Sequence, residues 1–279
     1  MSSELRSGRP RRRRPEPRPP VAIIAIAALA IALFALPFLG LLWRTPWGSA
    51  WSLLTDADSL TALRLSIECS LLAAALCVLL GVPLAWVLAR VAFPGRRIVR
   101  ALCLLSLVLP PVVAGVALLS SFGRRGMVGG PLSDWFGIHL PYSTAGVVIA
   151  QTFVAMPFLV LTVEAAMRSL DRRPEEAART LGAGGWTIFR RVTLPAIRPA
   201  LLAGIVLAWA RALGEFGATI TFAGNLPGTT QTAPLAVYRA LEADPDQALV
   251  LSLVLIAISF AVLIGLRDRW LAPPSMTQP

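Results

Sequence analysis

Arg211 and Glu215 stand four residues apart inside a stretch otherwise dominated by Leu, Ile, Val, Ala and Gly. In a helix this spacing puts both side chains on one face, and Thr219 extends the same stripe. A charge at the centre of a membrane helix costs about 2.5–3.5 kcal/mol on insertion scales. The two residues are therefore expected to face protein or water, and each other. Two roles are open to them: a salt bridge that fixes one helix in a bundle, or a path or gate element for an oxyanion. In the second role Thr219 and Asn225 continue the polar line toward the outer end, and Arg211 must neutralise Glu215, which would otherwise repel an anion. Glu68 is another acid in an apolar stretch, expected to be buried and paired with an Arg of a neighbouring helix.

Little else in the chain could carry chemistry. All 26 basic residues are Arg and none is Lys, which excludes a P-loop, a kinase-type site and a Schiff base. One His and three Cys are too few for a His/Cys metal site. Cys69, Cys77 and Cys103 read as buried free thiols, and His139 as a surface residue. No paired carboxylates or Ser/His arrangement supply a membrane-embedded enzyme with a site.

The elements that must position these residues are membrane helices. The chain has 279 residues, 56% hydrophobic and only 15% charged, against about one charged residue in four for a soluble domain. Six apolar stretches are long enough to span a bilayer: Val21 to Trp43, Leu63 to Ala89, Ala101 to Phe122, Tyr142 to Met167, Pro199 to Ala223 and Gln247 to Leu266. Pro83, Pro110, Pro111 and Pro157 fall inside them and are expected to kink them. The net charge of +11 suggests membrane topology rather than nucleic acid, because of where the Arg residues lie. Twenty fall on one side of the alternating spans, in residues 1–18, 90–100, 168–198 and 267–269, and five on the other. By the positive-inside rule both termini are cytoplasmic and the helix count is even. The first stretch is longer than a signal-peptide core and reads as a retained helix. Residues 1–20 read as a disordered Arg/Pro-rich cytoplasmic tail, residues 21–270 as the transmembrane domain and residues 271–279 as a short C-terminal tail. Trp43, Trp47, Trp51, Trp135 and Tyr142 read as interfacial anchors.

The cytoplasmic loop 168–198 is polar yet carries helix signals. Pro174 suits a helix start, Glu175 and Glu176 suit the first turn, and Gly182 suits the C-terminal break. A second short helix is expected from Trp186 to about Val192. The spacing predicts two short helices joined at a glycine corner, a compact knob that could dock into a groove on a partner.

The order Glu176-Ala177-Ala178, three residues, Gly182, nine residues, Val192, one residue, Leu194-Pro195 resembles the EAA loop of permease subunits of ABC importers. The run from Arg211 to Asn225, followed by Pro227-Gly228, looks like the fifth-helix signature of the molybdate group of these permeases. Pro110-Pro111-Val112-Val113, Phe122-Gly123, Gln151-Thr152-Phe153 and Pro157 also fit that group. The resemblance spans Val21 to Leu266. It implies an all-α membrane protein of six transmembrane helices with the type I ABC importer permease fold and a cytoplasmic coupling helix. Glu176, Ala177, Ala178, Gly182, Ala183, Leu194 and Pro195 would couple to an ATPase subunit, and Arg211, Glu215, Thr219 and Asn225 would line the path or gate. It further implies a homodimer in the bacterial cytoplasmic membrane, a periplasmic-type oxyanion-binding protein outside, and no cofactor on this chain, ATP and Mg being used by the ATPase partner. Molybdate is the implied cargo, with tungstate as a companion. Sulfate and thiosulfate permeases are close relatives and remain an alternative. A self-contained secondary transporter would need ion-coupling charges and an internal repeat; one Arg/Glu pair is present, no clear repeat is visible, and the knob would have no task.

Overall fold

The structure is a computed structural model that describes residues 20–270. The expectations for the Arg/Pro-rich tail (residues 1–19) and for residues 271–279 lie outside the described residues. The described chain is helical, with no strand among its elements.

Helix α1 (Val21–Arg44) buries none of its side chains. It is apolar on every side, so no face is marked for solvent. It forms a unit of its own, separate from the unit that begins at Thr45.

In the second unit a short α2 (Ala50–Leu54) precedes the second span. That span is α3 (Ala57–Leu76), one π-helical turn (Cys77–Gly81) and α4 (Val82–Arg90). Pro83 sits in the first turn of α4, where its missing N–H is tolerated because the π-turn has already disturbed the ladder. Asp56 caps α3 by accepting from the Asp58 N–H.

The third apolar stretch is broken rather than kinked. Helix α5 (Arg96–Val108) stops before Pro110, and α6 (Pro111–Phe122) starts after it. Leu109 and Pro110 both take extended ψ values near 134°, as residues that precede a proline prefer. Two successive prolines also remove the donors that would serve the carbonyls of Ser106 and Leu107, so the break needs water or neighbours. After α7 (Gly129–Phe136), the long α8 (Thr144–Ser169) continues unbroken past Pro157. It is the most enclosed of the continuous spans, and α3, α4, α12 and α13 pack around it.

The loop after α8 holds α9 (Arg173–Thr180), α10 (Gly185–Ile188), a second π-helical turn (Phe189–Thr193) and α11 (Leu194–Ala196). The expected helix from Trp186 to Val192 is thus one α-turn followed by a π-turn. The fifth stretch is divided into α12 (Arg198–Leu213) and α13 (Gly217–Ala223). Finally α14 (Ala233–Ala243) and α15 (Pro245–Trp270) close the chain. Among the described residues four helices are individually long and apolar enough to cross a membrane, or five with the bent pair that ends in α12. The six stretches read from the sequence are all helical; the third and fifth are interrupted.

Buried serines on one face of α3 tie the bundle together. Trp209 Nε1 donates to Ser70 Oγ at 2.9 Å, the Ala233 N–H to Ser66 Oγ at 2.6 Å, and Gln247 Nε2 to Ser59 Oγ at 3.0 Å. Small polar residues allow close helix approach while supplying partners that lipid lacks. Elsewhere the surface is studded with exposed Leu, Ile, Val and Phe, the lipid-facing counterpart of that interior.

Glu68 is not buried. Its carboxylate pairs with Arg64 of its own helix at 2.6 Å, and the two side chains are 51% and 79% exposed. Because Arg64 lies one turn before it, a local i,i+4 bridge forms in place of the expected bridge to a neighbouring helix. Cys69 and Cys77 are buried free thiols, whereas Cys103 is half-buried. His139 is exposed and hydrogen-bonds Ser133 Oγ at 3.2 Å. Trp43, Trp47, Trp51, Trp135 and Tyr142 are all exposed.

Candidate functional site: a broken helix joined to a polar knob

Arg211 lies in the last turn of α12, and Glu215 follows its end rather than continuing it. The single stripe expected for Arg211, Glu215 and Thr219 therefore does not form. Gly214 and Gly217 weaken the helix there, and the Glu215 side chain offers the backbone a competing acceptor. Its Oε1 accepts from the Ala218 N–H at 2.8 Å, and its Oε2 pairs with Arg211 Nη1 at 2.6 Å. One carboxylate thus caps the start of α13 and holds the end of α12. Its side chain is 1% exposed, while that of Arg211 is 29% exposed.

The two breaks meet. A Cβ on Gly217 would lie 2.5 Å from Pro111 Cβ, and one on Gly115 would lie 2.5 Å from Thr221 Cβ. The absent side chains let α13 seat directly on α6 beside its proline break. A cavity of about 300 Å³ opens there, lined by residues 106–111, Val154, Phe158 and Arg211 among others. Thr219 is fully buried, and its hydroxyl has no hydrogen-bond partner. Asn225 is engaged elsewhere: its Nδ2 donates to the Leu235 carbonyl, and its Oδ1 accepts from Gln231 Nε2 at 3.0 Å. Its side chain braces the 225–235 loop.

The knob is built as its local signals require. Asp171 Oδ1 accepts from the Arg173 N–H, and Pro174 opens α9. Gly182 adopts φ +83°, which a residue with a Cβ rarely takes, and the Ala183 N–H bonds back to the Ala178 carbonyl. Glu176 and Ala177 are exposed, as are Leu181 and Trp186, whereas Ala178 and Ala183 are half-buried. Leu194 is half-buried at the start of α11, and Pro195 beside it is exposed. Trp186 stacks on Phe189 at 5.6 Å, and Phe189 meets Trp86 of α4 edge-on.

The anchor of the knob is Glu175, which the sequence reading had only placed in the first turn. Its Oε1 accepts from Arg90 Nη2 at 2.9 Å and from Thr193 Oγ1 at 2.8 Å. This joins α9, the π-turn and the C-terminal end of the second span. The Arg90 and Glu175 side chains are 8% and 12% exposed. Glu164 was also missed. It is buried in α8, where a fork from Arg100 of α5 and a longer contact from Arg168 hold it. An acid in an apolar run, four residues before an Arg, was the available signal.

A broken membrane helix leads straight from a polar knob, with a bend of 76° between the segment 185–196 and α12. This arrangement can transmit motion between the knob and the break. The chain belongs to the binding-protein-dependent transport system inner membrane component family, whose model matches residues 78–274. Among its relatives, the "Molybdenum transport system permease protein ModB" of Mycobacterium bovis is 48% identical over 84% of this chain and 89% of its own length. The protein of the same name from Escherichia coli is 43% identical, covering 79% of this chain and 96% of its own length. The "Sulfate transport system permease protein CysT" of Escherichia coli is 36% identical over 79% of each chain. In fold the chain resembles a chain from the crystal structure of a bacterial ABC transporter for the import of alginate. The TM-score is 0.69 at 19% identity, covering 91% of this chain and 96% of that one.

Proposed function

We propose that this chain is the permease subunit of an ATP-driven importer and forms the membrane path for molybdate, with tungstate also accepted. The reading is carried by the exposed knob 176–186, rooted by the buried Arg90–Glu175–Thr193 cluster and continuous with the broken helix at Arg211. The higher identity to molybdenum permeases than to the sulfate permease supports the cargo.

In this reading two copies enclose a central path. An ATPase subunit, which holds the ATP and Mg, binds the knob, and an oxyanion-binding protein docks on the other side. Both termini lie on the ATPase side. ATP binding draws the knobs together. Glu175 passes that displacement to Arg90 and the second span, and α11 passes it to α12 and its break. Glu176, Ala177, Ala178, Gly182, Ala183, Leu194 and Pro195 shape the docking element, and Glu175 ties it by hydrogen bonds to the end of the second span. Differential stability of two arrangements, biased by ligands at both ends, then drives the cycle.

The test is ATP hydrolysis by the chain reconstituted with its ATPase and with binding proteins loaded with molybdate or sulfate. Stimulation by the molybdate-loaded protein alone is expected. Stimulation by the sulfate-loaded protein alone would replace the cargo with sulfate or thiosulfate. If no ATPase subunit copurifies or is stimulated, the importer reading fails and a self-contained secondary transporter takes its place.

A further inference from the structure

The cavity at the α5/α6 break and the Arg211–Glu215 pair share a side chain, and the way the pair is oriented decides what the cavity can hold. Arg211 is the one charged residue among the described residues that line it. Glu215 does not line it. Both of its oxygens are committed, one to the Ala218 N–H and one to Arg211, and the side chain is all but sealed. The acid is therefore turned into the protein and the cation toward the cavity. The ion pair uses the Nη1 nitrogen of Arg211, and none of the guanidinium nitrogens is among the buried polar atoms without a partner. A guanidinium carries five N–H donors in a planar fork, so donors remain for a ligand with adjacent oxygens.

The rest of the wall is mostly apolar: Val154, Phe158 and the segment that ends in Pro110-Pro111. Ser106 Oγ already donates to the Cys103 carbonyl, which leaves no second strong donor on that side. At about 300 Å³ the space far exceeds the ~10–15 Å³ needed to admit one water, so a hydrated anion can enter without being stripped.

We propose that this cavity is a transient oxyanion subsite in which Arg211 is the contact residue, and Glu215 both positions the guanidinium and tempers its charge. The proposal rests on the importer reading above and deepens it by assigning the anion contact within the membrane. A single cation already paired with a carboxylate binds a tetrahedral dianion weakly, and transit requires a site that accepts an ion and then releases it. The same economy explains why the acid is capped inward. An acid exposed to the cavity would repel the cargo, whereas an Arg with no carboxylate partner would retain it.

The experiment uses the full complex with its ATPase and molybdate-loaded binding protein in proteoliposomes, and reads molybdate imported per ATP hydrolysed. The double variant Arg211→Gln/Glu215→Gln removes the cation without stranding a buried acid. Import per ATP should fall at least tenfold in this variant and return to within threefold of the wild type in Arg211→Lys. A structural brace would lower import and hydrolysis together, and an unchanged ratio in the double variant would overturn the subsite. So would a Lys variant as defective as the double variant. Wild-type complex that neither hydrolyses ATP in response to the loaded protein nor imports molybdate would instead remove the importer reading itself.

Discussion

Glu215 does two jobs with one carboxylate, and its substitutions should separate them. Glu215→Ala removes the acceptor for the Ala218 N–H and leaves Arg211 without its partner. A buried N–H left without its acceptor costs about 1–3 kcal/mol, so thermal unfolding in detergent should show a lower midpoint. Glu215→Gln keeps an acceptor and should lose much less. Gly217 is sensitive for a steric reason: Gly217→Val pushes a Cβ to 2.5 Å from Pro111 Cβ. Overpacking of this kind costs about 1–3 kcal/mol, and the same unfolding measurement would register it. At this scale the sequence exposed Arg211 and Glu215 because a charge in an apolar run is conspicuous. It could not separate Glu175 from Glu176. Adjacent residues on a helix point about 100° apart, and only the position of Arg90 determines which of them turns inward.

Among the elements, the two broken helices and the knob do the work. Hydropathy sums over a window and does not register an interruption, so the third and fifth stretches read as continuous spans. The local signals were nonetheless present: consecutive prolines at 110–111, and glycines at 214 and 217 on either side of an acid. What the sequence lacked was the register that brings Gly217 against Pro111, because that contact joins residues about a hundred positions apart. The knob was more legible, since its Pro, Glu and Gly signals act locally. Two substitutions test its mechanics. Arg90→Ala strands Glu175 in a nearly closed site and should leave ATP hydrolysis running with little molybdate uptake; wild-type uptake would show that the tie carries no motion. Gly182→Val forces a branched side chain into φ +83° and should also uncouple hydrolysis from uptake, with membrane insertion intact. Normal uptake by that variant would argue against the corner as part of the coupling element.

For the whole molecule the question is which way it sits. If residues 168–198 face the cytoplasm, as the Arg asymmetry predicts, then in a chain freed of its native cysteines a Glu176→Cys thiol should react with an impermeant maleimide only when the inner face is opened. A Cys at Asp134, in the α7 segment between the third and fourth spans, should react from outside. Reversed labelling would invert the topology. The π-helical turn at Cys77–Gly81 bears on the same scale. A π-turn accommodates one residue more than an α-helix would over the same length, so the second span stores a surplus residue nearer to Arg90 than to its start at Ala57. Deleting one residue from 77–81 should let the turn relax into an ordinary α-helix with Arg90 still facing Glu175, whereas deleting one residue from the regular helix at 84–88 should swing everything beyond it by about 100°. Only the second deletion would turn Arg90 away from Glu175, and molybdate uptake should survive the first and fail with the second. The bulge acts as a local slack: a bulge that migrated along the span would re-phase the side chains it passed, without unfolding the helix and without moving the junction at Arg90.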